Sequence, residues 1–106
     1  MATAKIDAGN CGFHTTVEAE IIEGYQVGLK IDSDCVHIKK LSERLSEVDA
    51  MNEISFRRGK HIPDIIQAGI QHCTHAACPV PVGILKAVEV AAGLALPQES
   101  KIELKP

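Results

Sequence analysis

Two runs of strict alternation dominate the first third of the chain. Between Thr16 and Ile22, Val17, Ala19 and Ile21 fall on one side and Thr16, Glu18 and Glu20 on the other; Tyr25, Val27, Leu29 and Ile31 then repeat the pattern. A period of two marks a strand with one face turned to a core, and Glu23-Gly24 between the runs marks a hairpin. A short strand near Ala4–Ala8 is expected to join the same sheet, with Gly9-Asn10 turning the chain.

Past Asp32-Ser33-Asp34-Cys35, a stretch rich in helix-capping residues, the period changes. Ile38, Leu41, Leu45 and Val48 recur at helical spacing, with Lys39, Lys40, Glu43, Arg44 and Glu47 on the opposite face. Ala50–Phe56 predicts a further short helical stretch, ended by an exposed turn at Arg57-Arg58-Gly59-Lys60. Pro63 suits the first turn of a helix whose apolar side is Ile62, Ile65, Ile66 and Ile70, and which runs into His72-Cys73. The last helix starts at Pro79 and Pro81, carries a broad stripe of Ile84, Leu85, Val88, Ala91 and Ala92, and stops at Gly93 and Pro97. That stripe suits a core or a dimer contact. Lys101–Lys105 alternates weakly, as a short strand or a loose tail would. Strands followed by helices predict an α+β single domain, residues 1–106, with helices packed on one face of an antiparallel sheet.

Composition narrows the function. Aromatic residues make up 3% with no Trp, and the net charge is −3 without a basic run, so neither a base-stacking platform nor a nucleic-acid surface is expected. Arg57, Arg58 and Lys60 read as a solvated loop end. The start of the chain lacks an apolar signal region, and the longest apolar run, Val88–Leu96 broken by Glu89, is well short of the ~20 residues that span a bilayer. No membrane association and a cytoplasmic location are expected. No glycine-rich phosphate loop or Ser/His/Asp arrangement is legible, and Asp32 and Asp34 read as strand-end and capping groups.

The chemistry lies in four cysteines, each at the edge of an expected element. Cys11 follows the first strand and precedes Gly12, Cys35 lies between hairpin and helix, Cys73 follows His72 at a helix end, and Cys78 precedes Pro79-Val80-Pro81. In a reducing compartment such cysteines are thiols, and metal or redox roles gain weight over disulfides. Soft thiolates suit zinc, Cu(I) and iron–sulfur clusters. Cys11, Cys35 and Cys73 could meet at one end of the sheet, with Cys78 or His72 as fourth donor. Each thiol alone reads as a small buried hydrophobe or a loop residue. Cys73 and Cys78 together could bracket a turn as a reversible disulfide. His72 and His75 suit helix-end caps, His14 and His61 suit the surface, and His37 lies two residues beyond Cys35.

The order Cys11-Gly12, Cys35 ahead of a helix and His72-Cys73 ahead of the last helix resembles the IscU/NifU N-terminal iron–sulfur scaffold family. The resemblance covers most of the chain. It implies that Cys11, Cys35 and Cys73 hold a nascent cluster, [2Fe–2S] or [4Fe–4S], with His72 as a possible fourth ligand. It also implies a sulfur donor and a client apo-protein as partners, and assembly or carriage without turnover. The chain departs from that family in three places. Phe13 stands where Cys-Gly is usually followed by Asp, Ile62-Pro63-Asp64 stands for the family's Leu-Pro-Pro-Val-Lys, and Cys78 is additional. A four-cysteine set could retain its cluster. Cys78-Pro79-Val80-Pro81 also resembles the CPxP motif of TusA-like sulfur-relay proteins, which implies Cys78 as a persulfide carrier and an enzymatic sulfur transfer. A third possibility is a small binding module in which zinc only holds the fold.

Overall fold

The computed structural model describes residues 1–106. Its four-stranded sheet is antiparallel throughout, in the order β1 (Ala2–Asp7), β2 (His14–Glu23), β3 (Gln26–Ser33) and β4 (Glu47–Asp49). Helices α1 (Val36–Arg44), α2 (Ala50–Glu53), α3 (Asp64–His72) and α4 (Val80–Ala91) complete it. The α4 helix packs on β1 and β2, α1 packs on β3, and α3 sits against α1 and α4. This is the expected α+β domain with helices on one sheet face. No helix is long and apolar enough to cross a membrane.

The alternation of β2 and β3 does what it predicts near the middle of the sheet. Val17, Ala19 and Val27 are fully buried, while Ile21 and Tyr25, toward the hairpin end, are exposed. Gly24 takes φ +58°, a conformation the tight β2–β3 turn needs and other residues rarely adopt. The α4 stripe belongs to the core through Val80, Ile84, Ala87 and Val88. Its end is a Schellman motif: Gly93 N–H donates to Val90 O at 3.1 Å, Leu94 N–H donates to Glu89 O at 2.9 Å, and Gly93 has φ +73°.

Two expectations are corrected. The first helix ends at Arg44, and Val48, which fits its period, belongs instead to β4 opposite Val27. Leu45 and Val48 are both buried, so one core claims them from two different elements. The buried side of α3 is Ile65, Ala68 and Gly69, whereas Ile62 and Ile70 are exposed. Pro81 of α4 explains the rotation: a Cβ on Gly69 would lie 2.8 Å from the Pro81 ring, so only a residue without one permits this approach. Residues 101–105 form no regular element. The turn at Arg57–Gly59 is exposed as expected, and Arg57 and Arg58 both take positive φ there.

One buried carboxylate holds α3 in place. Pro63, at the N-cap, has no side-chain hydrogen bond to offer the first helical amides. Glu53, at the end of α2, supplies it: Oε2 accepts from Asp64 N–H at 3.0 Å and Oε1 from Ile65 N–H at 2.7 Å. Asn52 Nδ2 adds a donor at 3.3 Å, and His61 Nε2, half-buried rather than at the surface, bonds Asn52 O at 2.7 Å. The negative charge faces the positive end of the α3 dipole. Glu53→Ala is expected to cost roughly 2–4 kcal/mol, because it leaves charge-assisted bonds unmade and buried amides without partners. Glu53→Gln should cost less, since an amide oxygen can still serve one donor. Urea unfolding of the two variants checks both the size and the ranking.

Candidate functional site

The rim of the sheet at the Asp7 end of β1 is assembled from three chain segments. The β1–β2 turn is closed by Ala8 N–H donating to Phe13 O (3.1 Å) and Gly12 N–H donating to Gly9 O (2.9 Å). Gly9 and Gly12 take φ +85° and +74°, so the turn around Cys11 needs a glycine on either side of it. The turn is tied to the β3–α1 junction by His14 N–H, which donates to Asp34 Oδ1 at 2.9 Å. Asp34 therefore joins two segments instead of capping α1. Beneath it, Thr15 Oγ1 donates to Ser33 Oγ at 2.8 Å in a buried pair, and the same Ser33 oxygen accepts from Cys35 N–H at 3.1 Å. Cys35 is the N-cap of α1, with extended φ/ψ and no side-chain cap bond.

The second half of the rim comes from the helices. A Cβ built on Gly83 would lie 2.2 Å from Ile6 Cδ1, so the first turns of α4 lie almost in contact with β1 at this end. Ile6 pairs with Thr15, and Thr15 pairs with Ser33, which brings the start of α4 to the end of the sheet where Cys35 sits. Cys78 lies just before α4, its N–H donating to His75 O at 3.2 Å. Cys73 is the C-cap of α3, its N–H donating to Gly69 O at 2.9 Å.

Cys35, Cys73 and Cys78 are partly buried and pack against the core. They act on one another: Cys73 is pushed up from the ordinary thiol value of 9.0 to about 12 by burial first, then by the charge of Cys78, a hydrogen bond with Cys78 and the charge of Cys35. Two segments, the β3–α1 junction and the α3–α4 connection, thus bring Cys35 and Cys78 near enough to act on Cys73. Cys11 stays exposed in its turn on this rim. Of the expected set Cys11, Cys35 and Cys73, the structure brings Cys35 and Cys73 together, and Cys78 takes the third place. His72 is half-buried at the last position of α3, His37 is half-buried on α1, and His14 and His75 are exposed. No group of three or more His, Cys, Asp and Glu side chains stands at the spacing of a metal ion's ligands. All four cysteines are unpaired.

Sequence reasoning missed Thr15, Ser33 and Glu53. A hydroxyl at the last residue of β3, just ahead of a helix-capping stretch, is the one signal that pointed toward Ser33.

The Cys73 shift carries a stability sign. Its folded-state value lies above its unfolded one, so the native chain holds a proton there that the unfolded chain releases. The resulting stabilisation is intact below pH 9 and is lost as pH rises from 9 to about 12. Stability measured by denaturant along an alkaline series should fall over that interval, and Cys73→Ser should flatten the fall. Cys73 should also be the last of the four thiols to react with an alkylating reagent at neutral pH, as read by mass spectrometry.

A search of curated proteins finds no match, and no solved structure matches. A family model described as a family of unknown function (DUF6951) matches residues 2–104, nearly the whole chain, and the protein belongs to that family.

Proposed function

We propose that the rim thiols bind a soft metal ion or an iron–sulfur cluster, and that the protein assembles or carries it rather than turning over a substrate. The approach of Cys35, at the β3–α1 junction, to Cys73 and Cys78, on the α3–α4 connection, is the observation that supports this reading. Core packing alone is a weak reason for it: burial and the neighbouring Cys78 and Cys35 make Cys73 harder to ionise. A cation reverses that sign. Ligation needs thiolates, so binding would expel the thiol protons, and the positive charge would offset the repulsion between the sulfurs.

The donor set fits such a group in kind. Sulfur is the ligand preferred by zinc, Cu(I) and iron–sulfur clusters, and four donors are the usual number. Cys35, Cys73 and Cys78 would supply three. Cys11, in the turn on the same rim, or His72, beside Cys73, would supply the fourth. Because the sulfurs are not at ligand spacing, loading needs side-chain rotation and a local closing of the rim. The likeness to the IscU/NifU scaffolds, a sulfur donor and client apo-protein as partners, and a cytoplasmic setting that keeps thiols reduced belong to this same proposal.

A second reading has its own support. Cys78 stands just ahead of α4 and is in contact with Cys73. In a sulfur relay Cys78 would carry the persulfide.

Anaerobic purification with metal analysis and an absorption spectrum separates these readings. The proposal expects stoichiometric zinc, or iron with visible cluster bands. Single Cys35→Ser, Cys73→Ser and Cys78→Ser changes should each weaken retention by roughly tenfold or more, in line with the sensitivity of metal sites to their ligand shells. Reconstitution with Zn(II) or with iron and sulfide that leaves all four thiols freely titratable would sink it. Persulfide loading abolished by Cys78→Ser alone would favour the relay.

A further inference from the structure

Cys73 and Cys78 stand at the two ends of one short connection. Cys73 is the C-cap of α3, and Cys78 lies just ahead of α4. The two helices are held near each other here: a Cβ on Gly69, one turn before Cys73, would lie 2.8 Å from the ring of Pro81, which follows closely on Cys78. Cys73 N–H donates to Gly69 O at 2.9 Å, so the last helical turn leads directly into this cysteine. Cys78 N–H donates to His75 O at 3.2 Å, which folds residues 75–78 into a tight turn. Between them these constraints leave the Cys73 and Cys78 side chains in hydrogen-bond contact.

That contact selects one pairing. Cys35 acts on Cys73 by charge and makes no hydrogen bond with it. Cys11 is exposed on its own turn. Of the pairings that four free cysteines allow, Cys73 with Cys78 is the one already in place.

Closing the pair asks little of the fold. Sulfurs in hydrogen-bond contact have only to approach to about 2 Å, which side-chain rotation and a small shift of the turn can supply. Thr74, His75, Ala76 and Ala77 are all exposed, so the connection can shift without uncovering a buried side chain. Both cysteines are only partly buried, within reach of a small reagent. The loop closed by the bond is short, so little chain entropy opposes it.

We propose that Cys73 and Cys78 form a reversible disulfide on exposure to a low-molecular-weight disulfide, and that this bond withdraws two donors from the rim, so that only the reduced chain takes up metal. This regulation rests on the metal-binding function proposed above. The step consists of two exchanges. One sulfur of the pair attacks the reagent's S–S bond, forming a mixed disulfide and releasing one reagent thiolate. The other sulfur attacks the mixed disulfide, forming the Cys73–Cys78 bond and releasing the second reagent thiolate. The two cysteine protons pass to the released thiolates, and the two electrons lost by the protein sulfurs are gained by those of the reagent. A dithiol reductant runs the sequence backwards. Because metal and oxidant compete for the same sulfurs, a bound metal also shields the pair.

Oxidised glutathione tests this on the full chain, with metal uptake read separately using Zn(II) and using iron plus sulfide. After treatment with oxidised glutathione, peptide mapping by mass spectrometry should join Cys73 to Cys78. Cys35→Ser should leave that bond in place, whereas Cys73→Ser and Cys78→Ser should each stop at a glutathione adduct on the remaining member of the pair. Metal uptake by the oxidised chain should be weaker by roughly tenfold or more than by the reduced chain, and should return with dithiothreitol. Metal added first should slow the cross-link. Cross-linking of a different pair, adducts without a protein disulfide, or a disulfide that leaves uptake unchanged overturns the proposal while the metal site itself stands. A reduced chain that takes up neither Zn(II) nor a cluster overturns it by the other route, since it removes the site that the disulfide would gate.

Discussion

Everything at the rim depends on how closely α4 approaches the sheet. Two glycines set that distance. Gly83 lets the start of α4 settle against Ile6, and Gly69 lets α3 settle against Pro81 in the same region. Each contact removes a side chain's thickness from a helix interface, at some cost in helix propensity. Together they bring the end of α3 and the beginning of α4 down to the end of the sheet. Cys73 and Cys78 then come near enough to Cys35 for its charge to reach Cys73. Larger residues at 69 and 83 would keep the fold class and lose the meeting point.

The polar contacts around that space serve the same end. Ser33 binds Thr15 on one side and the Cys35 amide on the other, so the strand pairing of β2 with β3 is transmitted to the first residue ahead of α1. Asp34 does likewise for the Cys11 turn through the His14 amide. Glu53 fixes the far end of α3, and a nine-residue helix is short enough for its N-terminal anchoring to decide where its C-terminal residue falls. No buried side-chain polar atom is left without a partner.

The sequence carried this picture unevenly, for physical reasons. The β2–β3 hairpin and α4 were legible because their apolar residues are large and strictly periodic. Val48 was ambiguous because a three-residue strand has no period of its own and its position also continues the period of α1. The α3 face was misread because the rule follows hydrophobic bulk, while Ala68 and Gly69 are buried for being small. The cysteines showed their placement at element edges, but not which of them converge. That depends on helix separations set by glycines and on whether a turn such as that of Cys11 points inward. A distant acceptor such as Glu53 leaves almost no trace: its only sign is a helix beginning at Pro63 with no capping side chain of its own.

Burial and the neighbouring sulfurs push Cys73 the same way, toward the neutral thiol. Cys35 and Cys78 pack with it against the core. An inert apolar cluster would do the same packing with Val or Ala and no ionisation conflict. A lone reactive thiol would avoid acidic neighbours. On the function proposed above, the same proximity would become multidentate binding when a cation arrives. Cys11 stays exposed on a turn tied to the same rim, where on that proposal it would be an outer donor.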